Sequence, residues 1–146
     1  MARILVIDDQ PAVRATITLG LRLKGFDVVE VESAAAALKE FGASNFDLAI
    51  VDIFLQGTNG ADLIRILRQR APSLPIVAIS GVTALDFLSA VPDLSNVVCL
   101  QKPFRPIELF KAIQSLLGPL GLLTDGAPNI AAAPNFEPHF RQRNLP

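Results

Sequence analysis

Five polar residues stand at the ends of apolar runs in this chain, and their types suit phosphoryl chemistry. Asp8 and Asp9 follow Arg3-Ile4-Leu5-Val6-Ile7, and Asp52 follows Leu48-Ala49-Ile50-Val51. Ser80 follows Ile76-Val77-Ala78-Ile79, and Lys102 follows Asn96 to Gln101. A charge within an aliphatic strand is costly unless it is paired or metal-bound. Asp52 is therefore expected where its strand emerges, facing a polar site. Carboxylates gathered there would repel and raise one another's pKa. A divalent cation removes that conflict, and an all-oxygen donor set suits Mg²⁺. Lys102 supplies a point charge for a phosphate oxygen, and Ser80 a hydroxyl for another. Asp52 is left as the nucleophile, since carboxylates form aspartyl-phosphates. Cation and ammonium would stabilise the charge of the transferring group.

The elements that must position these residues follow from pattern. Arg3 to Ile7 reads as a strand. Pro11 opens a helix, because proline fits the first helical position. Val13, Ile17 and Leu21 give that helix a buried face, and Arg14, Thr18 and Arg22 are expected to form a basic outer face. Gly25 ends it, and Asp27 to Val31 is a second strand. Ser33 caps an alanine-rich helix running to about Phe41. Phe46 to Asp52 is the third strand, an uninterrupted apolar run of the kind buried on both faces of a parallel sheet. Gln56-Gly57-Thr58-Asn59-Gly60 has turn chemistry. The helix after it turns Leu63, Ile64 and Leu67 inward and leaves Arg65 and Arg68 to solvent. Ile76 to Ser80 is the fourth strand. A weaker helix is expected over about Thr83 to Val91, and Asn96 to Gln101 is the fifth strand. Pro106 opens a last helix with Ile107, Phe110, Ile113 and Leu117 along its apolar side. Strand and helix alternate five times, which predicts an α/β parallel sheet with helices on both faces. In open sheets of this kind ligands bind at the carboxyl ends of the strands, where all five polar residues fall.

The 146 residues suffice for one domain, residues 1–117, followed by a tail, 118–146, in which eight of 29 residues are Gly or Pro. That fraction favours irregular structure, although Leu120, Leu122, Leu123, Phe136 and Phe140 could dock the tail on the domain or on a partner. His139 in the tail reads as exposed rather than as a ligand. A net charge of −1 gives no electrostatic case for nucleic acid or an anionic membrane. No apolar run approaches the roughly 18 residues of a membrane helix. An early charge argues against a signal peptide, and Cys99 as the single cysteine excludes an internal disulfide. Together these favour the cytoplasm.

In its residues Asp8-Asp9, Asp52, Gly60, Ser80-Gly81 and Lys102-Pro103-Phe104, in that order and at that spacing, the chain resembles the receiver domain of two-component response regulators from about Ala2 to Leu117. The resemblance implies a flavodoxin-like, doubly wound (βα)5 fold with a five-stranded parallel sheet in the order 2-1-3-4-5. It implies that Asp52 accepts a phosphoryl group from a phospho-histidine of a sensor histidine kinase or histidine phosphotransfer protein. It assigns Mg²⁺ binding to Asp8, Asp9, Asp52 and the backbone carbonyl of Phe54, and a cis bond to Lys102-Pro103. It makes Ser80 and an aromatic on strand five the switch, and the face of the fourth helix, fifth strand and fifth helix the site of downstream protein binding, with Phe87 and Leu88 near it. A homodimer is compatible with it.

Three positions depart from the pattern. Cys99 stands where the switch aromatic is usual, three residues before Lys102, and a thiol cannot reproduce an aromatic swing. Phe54 stands two residues beyond the acceptor, where its bulk bears on attacking water and predicts altered dephosphorylation. Gln56 replaces a frequent proline.

The leading expectation is a stand-alone phosphorylation-controlled switch acting by protein binding, since no recognisable output domain follows Leu117. It would be no enzyme beyond self-phosphorylation and self-dephosphorylation. The alternative is a receiver-fold module that works without phosphorylation, favoured by Cys99. A Mg²⁺-dependent phosphohydrolase is disfavoured by Phe54, because such enzymes commonly carry a second carboxylate there. Bland roles stand beside each sharp one. Asp8-Asp9 could cap a helix, Ser80 could serve a turn, and Cys99 could be a small core residue. The basic face of the first helix could be plain solvated surface or part of a kinase-docking surface.

Overall fold

The computed structural model describes residues 2–81 and 95–118. Five parallel strands form one sheet: β1 (Arg3–Ile7), β2 (Asp27–Val31), β3 (Leu48–Asp52), β6 (Ile76–Ser80) and β7 (Val97–Gln101). Their spatial order is β2-β1-β3-β6-β7, which is 2-1-3-4-5 when the sheet strands alone are counted. Four helices are described: α1 (Pro11–Leu23), α2 (Ala34–Ala43), α3 (Gly60–Arg70) and α4 (Pro106–Leu117). The fold is α/β, as the alternation predicts, and flavodoxin-like in its strand order, as the resemblance implies. The helix expected over about Thr83 to Val91, with Phe87 and Leu88, and the tail beyond Gly118 lie outside the described residues. No described helix is long and apolar enough to cross a membrane.

The sheet's side chains alternate between two cores, as strand geometry requires. Ile4, Val6, Leu48, Ile50, Val77 and Ile79 pack with Ile17 and Leu21 of α1 and Leu109 and Ile113 of α4. Leu5, Ile7, Ala49, Val51, Ile76 and Ala78 pack with Ala37 of α2 and Leu63, Ile64 and Leu67 of α3. All of β3 and β6 is buried, the two central strands having neighbours on both sides and helices on both faces. Each fully buried aliphatic of this kind stabilises the fold by about 1.5–3 kcal/mol.

The helix ends follow local chemistry. Pro11 sits in the first turn of α1. Ser33 Oγ accepts the Ala36 amide at 3.1 Å at the start of α2. Asn59 Oδ1 accepts the Ala61 amide at 2.8 Å at the start of α3.

Several faces differ from the sequence expectation. Thr18 is buried rather than part of a basic outer face. Arg14 turns inward, donating to the Asp8 carbonyl at 2.7 Å and pairing with Glu30 at 3.2 Å. Arg68 is tied down, its Nε donating to the Leu74 carbonyl at 2.8 Å. Ile107 is 48% exposed, because α4 seats Leu109, Ala112 and Ile113 on the sheet instead. The third strand starts at Leu48 rather than Phe46, whose ring stacks on Phe41 instead. The loop after β3 holds a small antiparallel hairpin, β4 (Phe54–Leu55) and β5 (Thr58–Asn59). Gly57 takes φ 74° in its turn, a backbone glycine adopts readily.

Candidate functional site: an acidic pocket at the carboxyl edge of the sheet

Strand parity decides which side chains can meet. Asp8, Asp52 and Lys102 each extend a row that faces α1 and α4: Ile4-Val6-Asp8, Leu48-Ile50-Asp52 and Val98-Leu100-Lys102. Register sets Asp8 level with Asp52 and puts Lys102 two residues beyond Leu100, the residue level with them on β7. Ile7 pairs with Val51, Asp52 with Ile79 and Ser80 with Gln101. The ladder runs one residue past β1 and β7, with the Asp8 amide donating to the Val31 carbonyl at 3.2 Å and that of Lys102 to the Ser80 carbonyl at 2.7 Å.

The result is a compact polar cluster. Oxygens of Asp8, Asp9 and Asp52 lie within 4.8 Å of one another. Lys102 Nζ is 3.1 Å from Asp52 Oδ2 and 3.5 Å from Asp8 Oδ2. Asp52 Oδ1 accepts the Phe54 amide at 3.0 Å, Asp8 Oδ1 the Gln10 amide at 2.8 Å, and Asp9 Oδ2 the Gln56 amide at 3.1 Å. Asp8 and Asp52 are buried, whereas Asp9 is half-buried. Burial is the main force pushing the Asp8 carboxyl above its usual 3.8. The Gln10 amide and Lys102 pull it down, and the Asp52 carboxylate adds to the rise. Among the described residues Asp8 Oδ2, although 3.5 Å from Lys102 Nζ, is buried without a hydrogen bond, a costly state for a charged oxygen. An orphaned oxygen, two neighbouring carboxylates and an all-oxygen donor set together fit a small hard divalent cation.

Ser80 is fully buried, and its row, Ile76-Ala78-Ser80, belongs to the opposite face, toward α2 and α3. The structure thus brings Ser80 to the site through its backbone link with Lys102. Cys99 is half-buried, level with Ala78 and packed against that same core. Burial pushes its thiol up from the usual 9.0, so it is a poor nucleophile. Phe54 is 56% exposed, and its backbone lies in β4. The Lys102–Pro103 peptide is cis.

Two contributors, Gln10 and Arg14, carried no sequence signal beyond residue type, and a third, Gly60, was marked only by the resemblance. Gln10 Oε1 accepts from Lys102 Nζ at 3.2 Å, so it holds the ammonium over the pocket. Arg14 lies one helical turn later and anchors the Asp8 backbone. Gly60 permits α3 to begin against the end of β3. A Cβ there would stand 2.4 Å from the Asp52 carbonyl oxygen and 2.5 Å from Ile53 Cα.

Comparisons with known proteins agree with this geometry. Residues 4–114 match the model of the response regulator receiver domain. The DNA-binding response regulator MtrA of Mycolicibacterium smegmatis is 34% identical over 117 residues, 79% of this chain and 50% of MtrA. The chain thus spans about half the length of that relative, whose name sets DNA binding beside the expectation of no nucleic-acid partner. The response regulator TrrA of Thermotoga maritima, solved in complex with Mg²⁺-BeF, superimposes with a TM-score of 0.70 at 28% identity, over 80% of this chain and 100% of TrrA. A response regulator receiver protein of Sinorhizobium medicae gives a TM-score of 0.72 at 34% identity, over 80% and 94%. On the sequence match and the shared fold, this chain belongs to the response regulator receiver domain family of two-component signalling.

Proposed function

We propose that Asp52 accepts a phosphoryl group from a phospho-histidine of a sensor histidine kinase or histidine phosphotransfer protein, and that the phosphorylated chain signals by binding a downstream protein. The observation that carries this reading is the orphaned Asp8 Oδ2, facing Asp52 and Lys102 inside a three-carboxylate pocket. Asp8, Asp9, Asp52 and the Phe54 carbonyl would hold Mg²⁺. Bound there, the ion would offset the carboxylate charge and draw electron density from the transferring group.

The chain's own residues do the rest. One Asp52 oxygen forms the bond to phosphorus as the bond from phosphorus to the donor imidazole nitrogen breaks, and the electron pair stays on that nitrogen. The Phe54 amide, on Asp52 Oδ1, orients the carboxylate so that one oxygen remains available. Lys102, already 3.1 Å from Oδ2, meets a phosphoryl oxygen and stabilises its charge. Ser80 follows with its hydroxyl once the group is in place. Phe54 covers the mouth and hinders attacking water. The activity is self-phosphorylation and self-dephosphorylation of a signalling domain rather than turnover of a substrate. A cytoplasmic setting is part of the reading, since that is where kinase domains of sensors supply the phosphoryl group.

A second reading rests on Cys99. Without an aromatic on β7 the receiver could serve as an interaction module that needs no phosphorylation. Incubation with acetyl phosphate and Mg²⁺, followed by intact mass, separates the two. One phosphoryl adduct per chain, lost in Asp52→Asn and on chelation, supports the first. A chain that stays unmodified supports the second. A DNA-binding output, as MtrA is named for, would belong to the half of that relative this chain does not span.

A further inference from the structure

A lysine ammonium ends a flexible four-carbon stem, and the residue type does not fix where it points. In this chain two hydrogen bonds fix that of Lys102, one to Asp52 Oδ2 at 3.1 Å and one to Gln10 Oε1 at 3.2 Å. Asp8 Oδ2 stands 3.5 Å away as an ion-pair partner. Lysine only donates, so the oxygen of the Gln10 amide rather than its nitrogen faces it. Asp52 belongs to the cluster that fits a cation, and it is the proposed acceptor. Its bond to Lys102 must change as a phosphoryl group arrives. The bond from Gln10 need not.

Gln10 is exposed, yet its backbone is held. A residue before proline is confined to extended conformations, and Gln10, before Pro11, has φ −92° and ψ 109°. Its amide donates to Asp8 Oδ1 at 2.8 Å, and its carbonyl accepts the Arg14 amide at 2.9 Å. Gln10 thus grips one carboxylate of the pocket through its backbone and the ammonium through its side chain.

The side chain also leaves a local task undone. Gln10 occupies the N-cap of α1 but makes no side-chain capping bond. Shorter residues such as Asn or Ser fold back there onto the first helix amides. Glutamine reaches outward instead, to a residue 92 positions later. Its neutrality suits that contact. A carboxylate would hold Lys102 too, but it would offset the ammonium's charge and compete with a phosphoryl oxygen for it.

We propose that Gln10 is a positioning residue for phosphoryl transfer, its side-chain carbonyl holding the Lys102 ammonium where a phosphoryl oxygen on Asp52 would meet it. The inference rests on the reading of Asp52 as acceptor and adds to it a residue outside the acidic cluster.

Acetyl-phosphate labelling of the full chain in Mg²⁺ tests it, with urea unfolding and the ¹⁵N signal of the Lys102 ammonium alongside. Gln10→Asn is too short for Lys102 but able to cap α1. It should label about tenfold slower, the scale of a loosened rather than a lost donor, while its urea midpoint equals or exceeds the parent's. The Lys102 ammonium signal, sharp in the parent, should broaden. Gln10→Glu should keep that signal sharp and still label more slowly. In a Lys102→Ala background Gln10→Asn should change the rate by no more than about twofold, because no ammonium is left to position. Labelling of either single variant at the parent rate, an unchanged ammonium signal in Gln10→Asn, or the same loss of rate in the Lys102→Ala background would overturn the proposal and leave Asp52 as acceptor. So would a urea midpoint that falls with the rate, since the fold would then be the cause. A parent chain that takes no phosphoryl group would remove both readings.

Discussion

Gly60 offers the most direct test of how the fold positions Asp52, the proposed acceptor. Alanine in place of glycine ordinarily stabilises a helix by about 0.5–1 kcal/mol. At Gly20 in α1 that rule should hold, because the new Cβ would lie 3.7 Å from Phe110 Cζ, an ordinary contact. At Gly60 it should reverse. The Cβ would stand 2.4 Å from the Asp52 carbonyl oxygen, 2.5 Å from Ile53 Cα and 2.9 Å from the Ile53 carbonyl oxygen. All three are backbone atoms of the last residue of β3 and the buried residue after it, and none can swing aside as a side-chain tip would. The Gly60 amide also donates to the Ile53 carbonyl at 2.8 Å, so moving α3 away stretches that bond. Overpacking of this kind costs about 1–3 kcal/mol, which outweighs the propensity gain. Urea unfolding should place the Gly60→Ala midpoint about 1 M below the parent at ordinary m-values, with Gly20→Ala at or above the parent. The displaced Asp52 backbone should also slow acetyl-phosphate labelling about tenfold or more, since small misplacements of a reacting group are costly. A Gly60→Ala protein as stable and as reactive as the parent would refute the reasoning.

Other changes have equally definite outcomes. Lys102→Ala removes the cation 3.1 Å from Asp52 and should slow acetyl-phosphate labelling about a hundredfold, the usual scale for losing one charge-stabilising donor; labelling within a factor of two of the parent would exclude that role. Phe54→Asn opens the pocket mouth and should shorten the acyl-phosphate lifetime about threefold, under 1 kcal/mol of barrier; equal lifetimes by acid-quench would sink the shielding argument. Glu108 accepts the Arg105 amide at the start of α4, and that bond, with the Arg105 charge, holds its carboxyl below the usual 4.5. A lowered folded pKa means stability that is present above the unfolded value and lost as pH falls through the folded one. Glu108→Gln should therefore be less stable than the parent at neutral pH, and the two should converge in acid. A gap in denaturant midpoint that persists at pH 2, below the ordinary carboxylate range, would contradict this.

The parts of the site legible in the sequence were those that break a local rule. Asp52 ends an aliphatic strand, where a charge has no structural use, and Asp8-Asp9 do the same after β1. Sheet order came from resemblance, because alternation alone gives parallel strands but not their neighbours. Gln10 and Arg14 broke no rule. A polar residue before a helix and an arginine in its first turns look solvated until the strand beside them is placed, and only then does Arg14 reach the Asp8 carbonyl. Thr18 misled for a related reason. It lies one position from Ile17, inside the arc that α1 turns toward the sheet, and a single hydroxyl reads as surface in a pattern count. The hairpin of β4 and β5 has two residues per strand, too few for alternation to show. Gly60 counted in the resemblance, but its physical role did not show, since what it avoids is backbone from a different element.

Parity ties these observations together. In β1, β3 and β7 the residues that follow the strand, or end it, continue the row facing α1 and α4, so two carboxylates and one ammonium are forced to the same side of the sheet, with Lys102 two residues beyond the level of the carboxylates. Ser80 ends its strand in the other row, toward the core that also holds Cys99. On the proposed phosphoryl transfer, Asp52 and its charge partners are fixed by the sheet itself, whereas Ser80 would have to bring its hydroxyl across from the neighbouring row. Such a movement would open space in the row that holds Ala78 and, level with it, Cys99. In this chain the space is flanked by a small thiol rather than an aromatic ring, so Cys99→Phe or Cys99→Tyr should leave acetyl-phosphate labelling of Asp52 within about twofold while changing what the labelled chain does. Backbone amide shifts around Cys99 on phosphorylation distinguish the cases. If the larger side chain alters the labelling rate as much as Lys102→Ala does, the acceptor and the switch are not separable by strand row, and the division drawn here fails.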